Sequence, residues 1–211
     1  MPNSDRRNRV QWIYTSKDNK ELEERYDQWA KDYDSDLNEE FGYLGPQYAV
    51  QFFVRYVPRD AIILDAGAGT GLVGTLLAKQ GYKNLIAMDL SKGMLEEARK
   101  KNVYKELHQM VMGDPMDYTT DFFDAVISIG VLTIGHAPAS SFDELVRITR
   151  PGGHIVFSLR PDVYRDRGFK EKLDELEAAG KWKLAEVSEE IASLPKGEPD
   201  VKQNVWVYQV T

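Results

Sequence analysis

The sequence contains no cysteine, which excludes disulfides, thiolate zinc sites and cysteine nucleophiles. It has three histidines, at positions 108, 136 and 154, and they are too scattered to suggest a metal-binding motif. It also lacks an apolar run long enough to span a membrane and a signal-peptide pattern at its N-terminus. We therefore expect a cytoplasmic protein that holds no metal and does not associate with a membrane.

Positive charge is scarce: the sequence has 27 Lys and Arg residues and 34 Asp and Glu residues, which gives a formal net charge of −7. This balance argues against broad attraction to nucleic acid, so we expect no nucleic-acid partner. A length of 211 residues favours a single domain with a substantial core. We expect a flexible tail over residues 1–15, a helical lid over 16–57 and a core over 58–211, in a monomer or weak homodimer.

The stretch I-I-L-D-A-G-A-G-T-G at residues 62–71 organises the rest of the chain. Its β-branched apolar start is typical of a strand buried on both faces. Gly67, Gly69 and Gly71 follow, and glycine allows backbone angles closed to other residues and a close approach to a ligand. Apolar residues at helical spacing come next. The stretch predicts a strand, a glycine loop and a helix whose N-terminus faces a ligand.

Two phosphate-binding motifs do not fit this loop. A P-loop needs lysine after its last glycine, but Thr75 follows Gly74. A dinucleotide fingerprint that starts at Gly67 needs a sixth-position glycine, and the chain has Leu72 there. The pattern present is D-x-G-x-G-x-G from Asp65, which resembles motif I of the class I S-adenosylmethionine (SAM) methyltransferases. The alternative is a tight strand–helix turn without a ligand.

The resemblance implies that the loop holds SAM and that an acid at the strand end suits its cationic part. The loop residues assigned to the cofactor are Asp65, Gly67, Ala68, Gly69, Thr70, Gly71 and Leu72. An acid at the end of the second predicted strand, Asp89, lies where related α/β folds bind a ribose diol. The alternative is a simple acid at a strand–turn junction. The residues after it that we assign to the cofactor are Leu90, Ser91 and Met94.

Two later segments complete the expected site. One resembles the methyltransferase segment that reads the adenine, with an acid that accepts from the exocyclic amine; it comprises Gly113, Asp114, Pro115 and Met116. The other is the exit of the fourth predicted strand, beside the methyl group and its acceptor, and comprises Ile129, Gly130 and Val131. His136 follows, and its imidazole can titrate near neutral pH, so it is the candidate base. The alternative is a surface-loop histidine.

An aromatic stripe follows the predicted amphipathic helix from Asp18 to Tyr33. Tyr26, Trp29 and Tyr33 share a face with Leu22, and their polar groups suit residues half in a pocket. The segment Y-D-Q-W-A-K-D-Y-D also resembles the N-terminal lid helix of many small-molecule methyltransferases. We assign the three aromatic residues to the cofactor site. Ordinary core packing is the alternative.

Alternating strands and helices predict an α/β fold, a Rossmann-like doubly wound sheet that is mostly parallel. Runs at 182–194 and 201–210 predict an antiparallel hairpin that completes the sheet. The resemblance covers the chain from about residue 44 and implies seven strands in the order 3-2-1-4-5-7-6 beneath an N-terminal helical lid. The lid segment, the glycine loop and S-K-G-M-L-E-E-A resemble, more finely, the Williams–Beuren syndrome region methyltransferase-like proteins.

The implied chemistry is SN2 transfer of the SAM methyl group to nitrogen or oxygen of a small-molecule substrate, for which the protein mainly aligns the reacting atoms. No N-P-P-Y or D-P-P-Y motif follows strand four, which argues against the DNA-type and glutamine-type N-methyltransferases. The alternatives are a SAM-binding module without methyl transfer and an oxidoreductase that uses NAD. Calorimetric titration with SAM, its demethylated product and NAD separates them.

Overall fold

The computed structural model describes residues 8–211 and contains one twisted sheet with helices on both faces. Its strands are β1 (Ile62–Ala66), β2 (Asn84–Asp89), β3 (Glu106–Gln109), β4 (Phe123–Ser128), β5 (Thr149–Leu159), β6 (Trp182–Val187), β7 (Ile191–Ala192) and β8 (Lys202–Val210). Their order is β3-β2-β1-β4-β5-β8-β6, with β7 paired to β8. Strands β1 to β5 are parallel, and β8 is antiparallel to both of its main neighbours. The predicted fold is confirmed, with β8 in the place of the expected seventh strand and the two-residue β7 as an addition.

The helices cover both faces and one edge of this sheet. They are α1 (Arg9–Tyr14), α2 (Asn19–Asp36), α3 (Gly45–Tyr56), α4 (Leu72–Lys79), α5 (Lys92–Lys100), α6 (Ser141–Ile148), α7 (Pro161–Asp166) and α8 (Phe169–Ala178). A π-helical turn, Leu37–Phe41, extends α2. Because side chains alternate along a strand, neighbouring residues of β1 enter different cores. Ile63 packs with Phe53 of α3 and Leu77 of α4, whereas Leu64 packs with Phe142 of α6.

The chain is already helical at Arg9, which corrects the flexible tail expected over residues 1–15. Helix α1 buries Val10 and Ile13 in a cluster with Trp29 of α2. The guanidinium of Arg9 also donates to the buried carboxylate of Asp36, with Nη1 2.7 Å from Oδ2. Val10 and Ile13 are surrounded by polar residues in the sequence, so the composition of this segment does not predict a packed helix. Residues 1–7 of the expected tail lie outside the described residues.

Helices α1 and α2 and the π-helical turn lie over the edge of the sheet where β1, β2 and β4 end. Helix α2 starts cleanly because the Asp18 carboxylate accepts from the backbone N–H of Glu21. The apolar cluster beneath α1 and α2 also contacts Leu72 at the start of α4 and Leu90 after β2. The lid segment therefore rests on the two loops that carry the expected cofactor site. Within residues 8–211, no helix has the length and apolarity needed to cross a membrane.

Candidate functional site

The three glycines of the loop after β1 have left-handed backbone angles, with φ of +77° at Gly67, +53° at Gly69 and +87° at Gly71. A Cβ at Gly67 would lie 2.3 Å from a methyl of Val131, and one at Gly71 would lie 2.9 Å from the ring of Tyr104. A Cβ at Gly69 would meet no other heavy atom within 4 Å. Gly67 and Gly71 therefore let the loop pack against the protein, whereas Gly69 leaves space open.

A cavity lies beside Gly69, between the glycine loop, the ends of β2 and β4, and helix α2. The predicted site residues that line it are Tyr26, Tyr33, Gly67, Gly69, Asp89, Leu90, Met94, Ile129, Gly130, Val131 and His136. The sequence prediction missed other lining residues, among them Asn19, Leu22, Met110, Val111, Met112 and Ala137. Residues 110–112 directly follow β3, so the rule that ligands bind at the carboxyl ends of parallel strands could have found them.

Asp65, the first acid of the motif, does not line this cavity. It is 1% exposed, and its carboxylate accepts from the hydroxyl of Tyr104 at 2.5 Å. Burial raises the pKa of Asp65 to about 7, although the Tyr104 hydroxyl and the backbone N–H of Gly74 favour the charged form. The structure therefore places Asp65 behind the cavity, with its carboxylate toward the first turn of α4, and not on the wall where the sequence prediction put it for the cationic part of SAM.

The segment expected to read the adenine is also displaced. Asp114 and Pro115 are exposed, Met116 packs in the core beneath α6, and Gly113 packs against Pro138. The chain turns away after Met112, since the N–H of Asp114 donates to the carbonyl of Val111. Residues 113–116 therefore do not line the cavity, contrary to the sequence prediction, whereas Met110, Val111 and Met112 do.

The remaining predicted residues surround the cavity without lining it. Thr70 donates its hydroxyl to Asp34, and Ser91 accepts from the N–H of Met94 at the start of α5. Trp29 lies deeper in the lid, where its indole N–H donates to Asp36 at 2.9 Å. Residues placed only in the walls behind the cavity are Ala68, Gly71 and Leu72.

The Asp89 carboxylate joins the two loops that border the cavity. It accepts from the backbone N–H of Gly69 at 2.8 Å and from that of Ser91 at 2.9 Å. Burial raises the pKa of Asp89 to about 6, against the effect of these hydrogen bonds. A carboxylate has about four acceptor positions, so Asp89 can still accept from a ligand hydroxyl. The open space at Gly69, this acceptor and the thioether and aliphatic walls fit a nucleoside, with the sugar at Asp89 and the base against the apolar walls.

Tyr26 and His136 form a hydrogen bond in the wall of the cavity. The Tyr26 hydroxyl lies 2.7 Å from Nε2 of His136, and Nδ1 lies 2.9 Å from the carbonyl oxygen of Ile134. Because a carbonyl only accepts, Nδ1 carries the hydrogen, and Nε2 accepts from Tyr26. Burial lowers the pKa of His136, which keeps the ring neutral. Nε2 is therefore a base whose lone pair is directed at a phenol.

A second cavity, called here the inner cavity, lies on the other side of this pair. Four residues line both cavities and form the wall between them: Tyr26, Tyr33, Gly130 and His136. The inner cavity is otherwise bounded by apolar and aromatic side chains of the lid and by the ends of β5 and β8. Ligands bound in the two cavities would thus be separated only by the shared wall.

Two aspartates of α2 hold the lid in place over these cavities. Asp27 accepts from the Ser91 hydroxyl at 2.6 Å and from the N–H of Gly93 at 2.7 Å. Asp34 accepts from Thr70 and, at 2.6 Å, from the ammonium of Lys101. The sequence reading missed both, although they flank the aromatic stripe on the same helix.

Comparison with known proteins identifies relatives of this chain. The methyltransferase domain family matches residues 64–157. The chain is 35% identical to human methyltransferase-like protein 27 over 164 residues, which are 74% of this chain and 66% of that protein. It spans 37% to 66% of the length of eight curated relatives that it matches.

Solved structures show the same fold at low identity. A SAM-dependent methyltransferase from Methanosarcina mazei superposes with a TM-score of 0.61 at 15% identity, covering 75% of this chain and 96% of that one. The cyclase SpnF superposes with a TM-score of 0.71 at 15% identity, covering 91% and 96%. Since both likenesses are below 25% identity, they bear on the fold alone.

Proposed function

We propose that this chain, a member of the class I SAM-dependent methyltransferases, transfers the methyl group of its cofactor SAM to nitrogen or oxygen of a small molecule. The observation that carries the proposal is the pair of adjoining cavities that share Tyr26, Tyr33, Gly130 and His136. Methyl transfer requires a nucleophile in line with the sulfur–methyl bond, so two ligands must meet at one wall. The lid over both cavities suits a small acceptor better than a polymer.

The first cavity supplies the groups that would hold the cofactor. Asp89 would accept from the ribose hydroxyls, and the backbone at Gly69 would leave room for the rest of the nucleoside. Leu90, Met94 and Met112 provide apolar walls for the base. When bound, SAM supplies an activated methyl group on a good leaving group. The protein contributes alignment and exclusion of water, since Asp27 and Asp34 fasten the lid above the cavity.

Tyr26 and His136 provide a path for a proton. An acceptor hydroxyl in the inner cavity donates to the oxygen of Tyr26 as the phenol passes its own proton to Nε2 of His136. The relay would leave the acceptor oxygen without its proton, beside the methyl group that SAM would supply, with the sulfur as the leaving group. His136 thus acts through Tyr26, and an amine that arrives neutral needs this relay less.

Calorimetric titration of the full chain with SAM, S-adenosylhomocysteine and NAD tests the proposal. We expect both sulfur nucleosides to bind and NAD not to bind. Asp89→Asn should weaken SAM binding by about 10- to 150-fold, because a hydrogen bond to a charged group contributes ~1.5–3 kcal/mol. Asp117→Asn, at an exposed site, is the control that should bind normally. Preference for NAD would contradict the assignment, and SAM binding without transfer to any small acceptor would favour a binding module.

A further inference from the structure

Gln203 of β8 is a buried polar side chain with an unsatisfied donor. It is 6% exposed, and its Nε2 has no hydrogen-bond partner within residues 8–211. It nevertheless lines the inner cavity. A buried amide without a partner is unfavourable, and most buried polar groups in proteins are paired. A donor left open on the wall of a cavity is explained if a ligand completes the hydrogen bond.

Arg160 brings a second donor to the same wall. It directly follows β5, and the pairing of Leu159 with Asn204 in the antiparallel ladder places Arg160 beside Gln203. Its Nε and Nη2 donate to Asp162 at 3.0 and 2.7 Å. The Tyr14 hydroxyl is a further hydrogen-bond partner of Arg160. A guanidinium carries five N–H donors, more than Asp162 and Tyr14 use together. The pairing also offsets the positive charge of Arg160, so the wall offers directed donors rather than a strong field.

The other walls of the inner cavity are aromatic. Tyr14, Trp29 and Tyr43 line it, together with the shared ring of Tyr33. The rings of Trp29 and Tyr33 meet edge to face, with centroids 4.7 Å apart. Such walls favour a planar ring, which packs against aromatic faces and edges at little entropic cost. Aromatic walls with two adjacent donors define one ligand chemistry.

We propose that the inner cavity binds a small aromatic acceptor whose ring carries a carbonyl or carboxylate oxygen, held by Gln203 and Arg160. The nucleophile of that molecule then lies at the wall formed by Tyr26 and His136. This inference rests on the proposed function and names its substrate class. A carbonyl and a carboxylate both accept hydrogen bonds from Gln203 and Arg160. The binding of a carboxylate should depend more strongly on the positive charge of Arg160.

Calorimetry on the full chain saturated with S-adenosylhomocysteine tests the proposal with four probes. They are 4-hydroxybenzoate, 4-hydroxyacetophenone, 4-ethylphenol, which lacks the oxygen, and trans-4-hydroxycyclohexanecarboxylate, which lacks the aromatic ring. We expect at least one of the first two to bind about tenfold or more tightly than either of the last two. Equal binding of all four, or no binding of the first two, would overturn the proposal.

Variants then identify the donors. Gln203→Leu should weaken the preferred probe about tenfold, and Gln203→Glu should weaken a carboxylate further by repulsion. Arg160→Met should weaken the carboxylate more than the carbonyl. Gln209→Leu, on the same strand but bonded to the carbonyl of Gly152, is the matched control and should leave binding unchanged.

The outcomes also separate this inference from the proposed function. If S-adenosylhomocysteine does not bind the unaltered chain, the proposed function fails. If it binds, the variants should have the same affinity for S-adenosylhomocysteine and the same melting temperature as the unaltered chain. Differences in the binding of the aromatic probes then report on the inner cavity alone. Unchanged probe binding in Gln203→Leu and Arg160→Met would then refute the assignment of these two donors.

Discussion

The hydroxyl of Tyr26 lies 2.7 Å from Nε2 of His136, which joins the lid helix to the loop after β4. The two residues are 110 positions apart in the chain, and each lines both cavities. The neutral tautomer of His136 is set by its other nitrogen, which donates to the carbonyl of Ile134. This hydrogen bond therefore ties helix α2 to the residue that we propose as the proton acceptor.

Removal of the Tyr26 hydroxyl should separate these two roles. We expect Tyr26→Phe to lower kcat for a hydroxyl acceptor about tenfold or more, because positioned acid–base groups contribute ~10²–10⁴. Its affinity for SAM should change little, since the ring remains. His136→Gln should show a similar loss with an altered pH profile. Normal kcat and an unchanged profile in both variants would mean that alignment alone drives the transfer.

Helix α2 should become more protected when the cofactor binds. The helix spans Asn19–Asp36 and is fastened through Asp27 and Asp34, so a ligand beneath it should suppress local opening. We expect slower hydrogen exchange over residues 19–36 with SAM and faster exchange in Asp27→Ala. Exchange that is equal with and without SAM would indicate that α2 is a fixed part of the core.

Affinity for SAM should fall as the pH falls through about 6. Burial raises the pKa of Asp89 to about 6, and only its anion accepts from both ribose hydroxyls. Below this pH, binding must first remove a proton, and the dissociation constant rises by up to about tenfold per pH unit. Calorimetry between pH 5 and 8 should show this trend. The dependence should persist in Asp65→Asn and disappear in Asp89→Asn.

Asp65 should make the folded protein less stable as the pH rises from about 4 to 7. Burial raises its folded-state pKa to about 7, so the folded state binds more protons than the unfolded state over that range. The unfolding free energy of the unaltered chain, minus that of Asp65→Asn, should therefore decline across the range and level off above it. Urea titrations at each pH measure this difference, and a constant difference would place the carboxylate in a more polar setting.

Two glycines of the loop should fail in different ways when substituted. Gly69→Val projects into open space, so we expect a folded protein that has lost SAM binding. Gly67→Ala collides with Val131 and should lower the melting temperature. Both positions have positive φ, so a shared backbone cost of about 1–2 kcal/mol applies to each. Normal SAM binding by Gly69→Val would show that this space belongs to solvent.

The sequence by itself determined the sheet, the glycine loop and the family. Buried parallel strands read as continuous apolar runs, and the glycines and Asp89 follow them at fixed local spacing. Because these patterns span only a few residues, they can be recognised without knowing which distant residues pack against them. The position of His136 just after the fourth predicted strand also placed it near the site. The sequence did not show that the Tyr26 hydroxyl hydrogen-bonds its Nε2.

Only the tertiary structure decided which side chains face the cavities. Asp65 is the penultimate residue of β1 and Asp89 is the last residue of β2. One carboxylate is directed at Tyr104 and the other at Gly69, because strand alternation and distant partners set the direction of a carboxylate. Likewise, Gln203 and Arg160 meet only because β8 pairs with β5. Such contacts join residues at least 20 positions apart, so the periodicity within either segment does not reveal them.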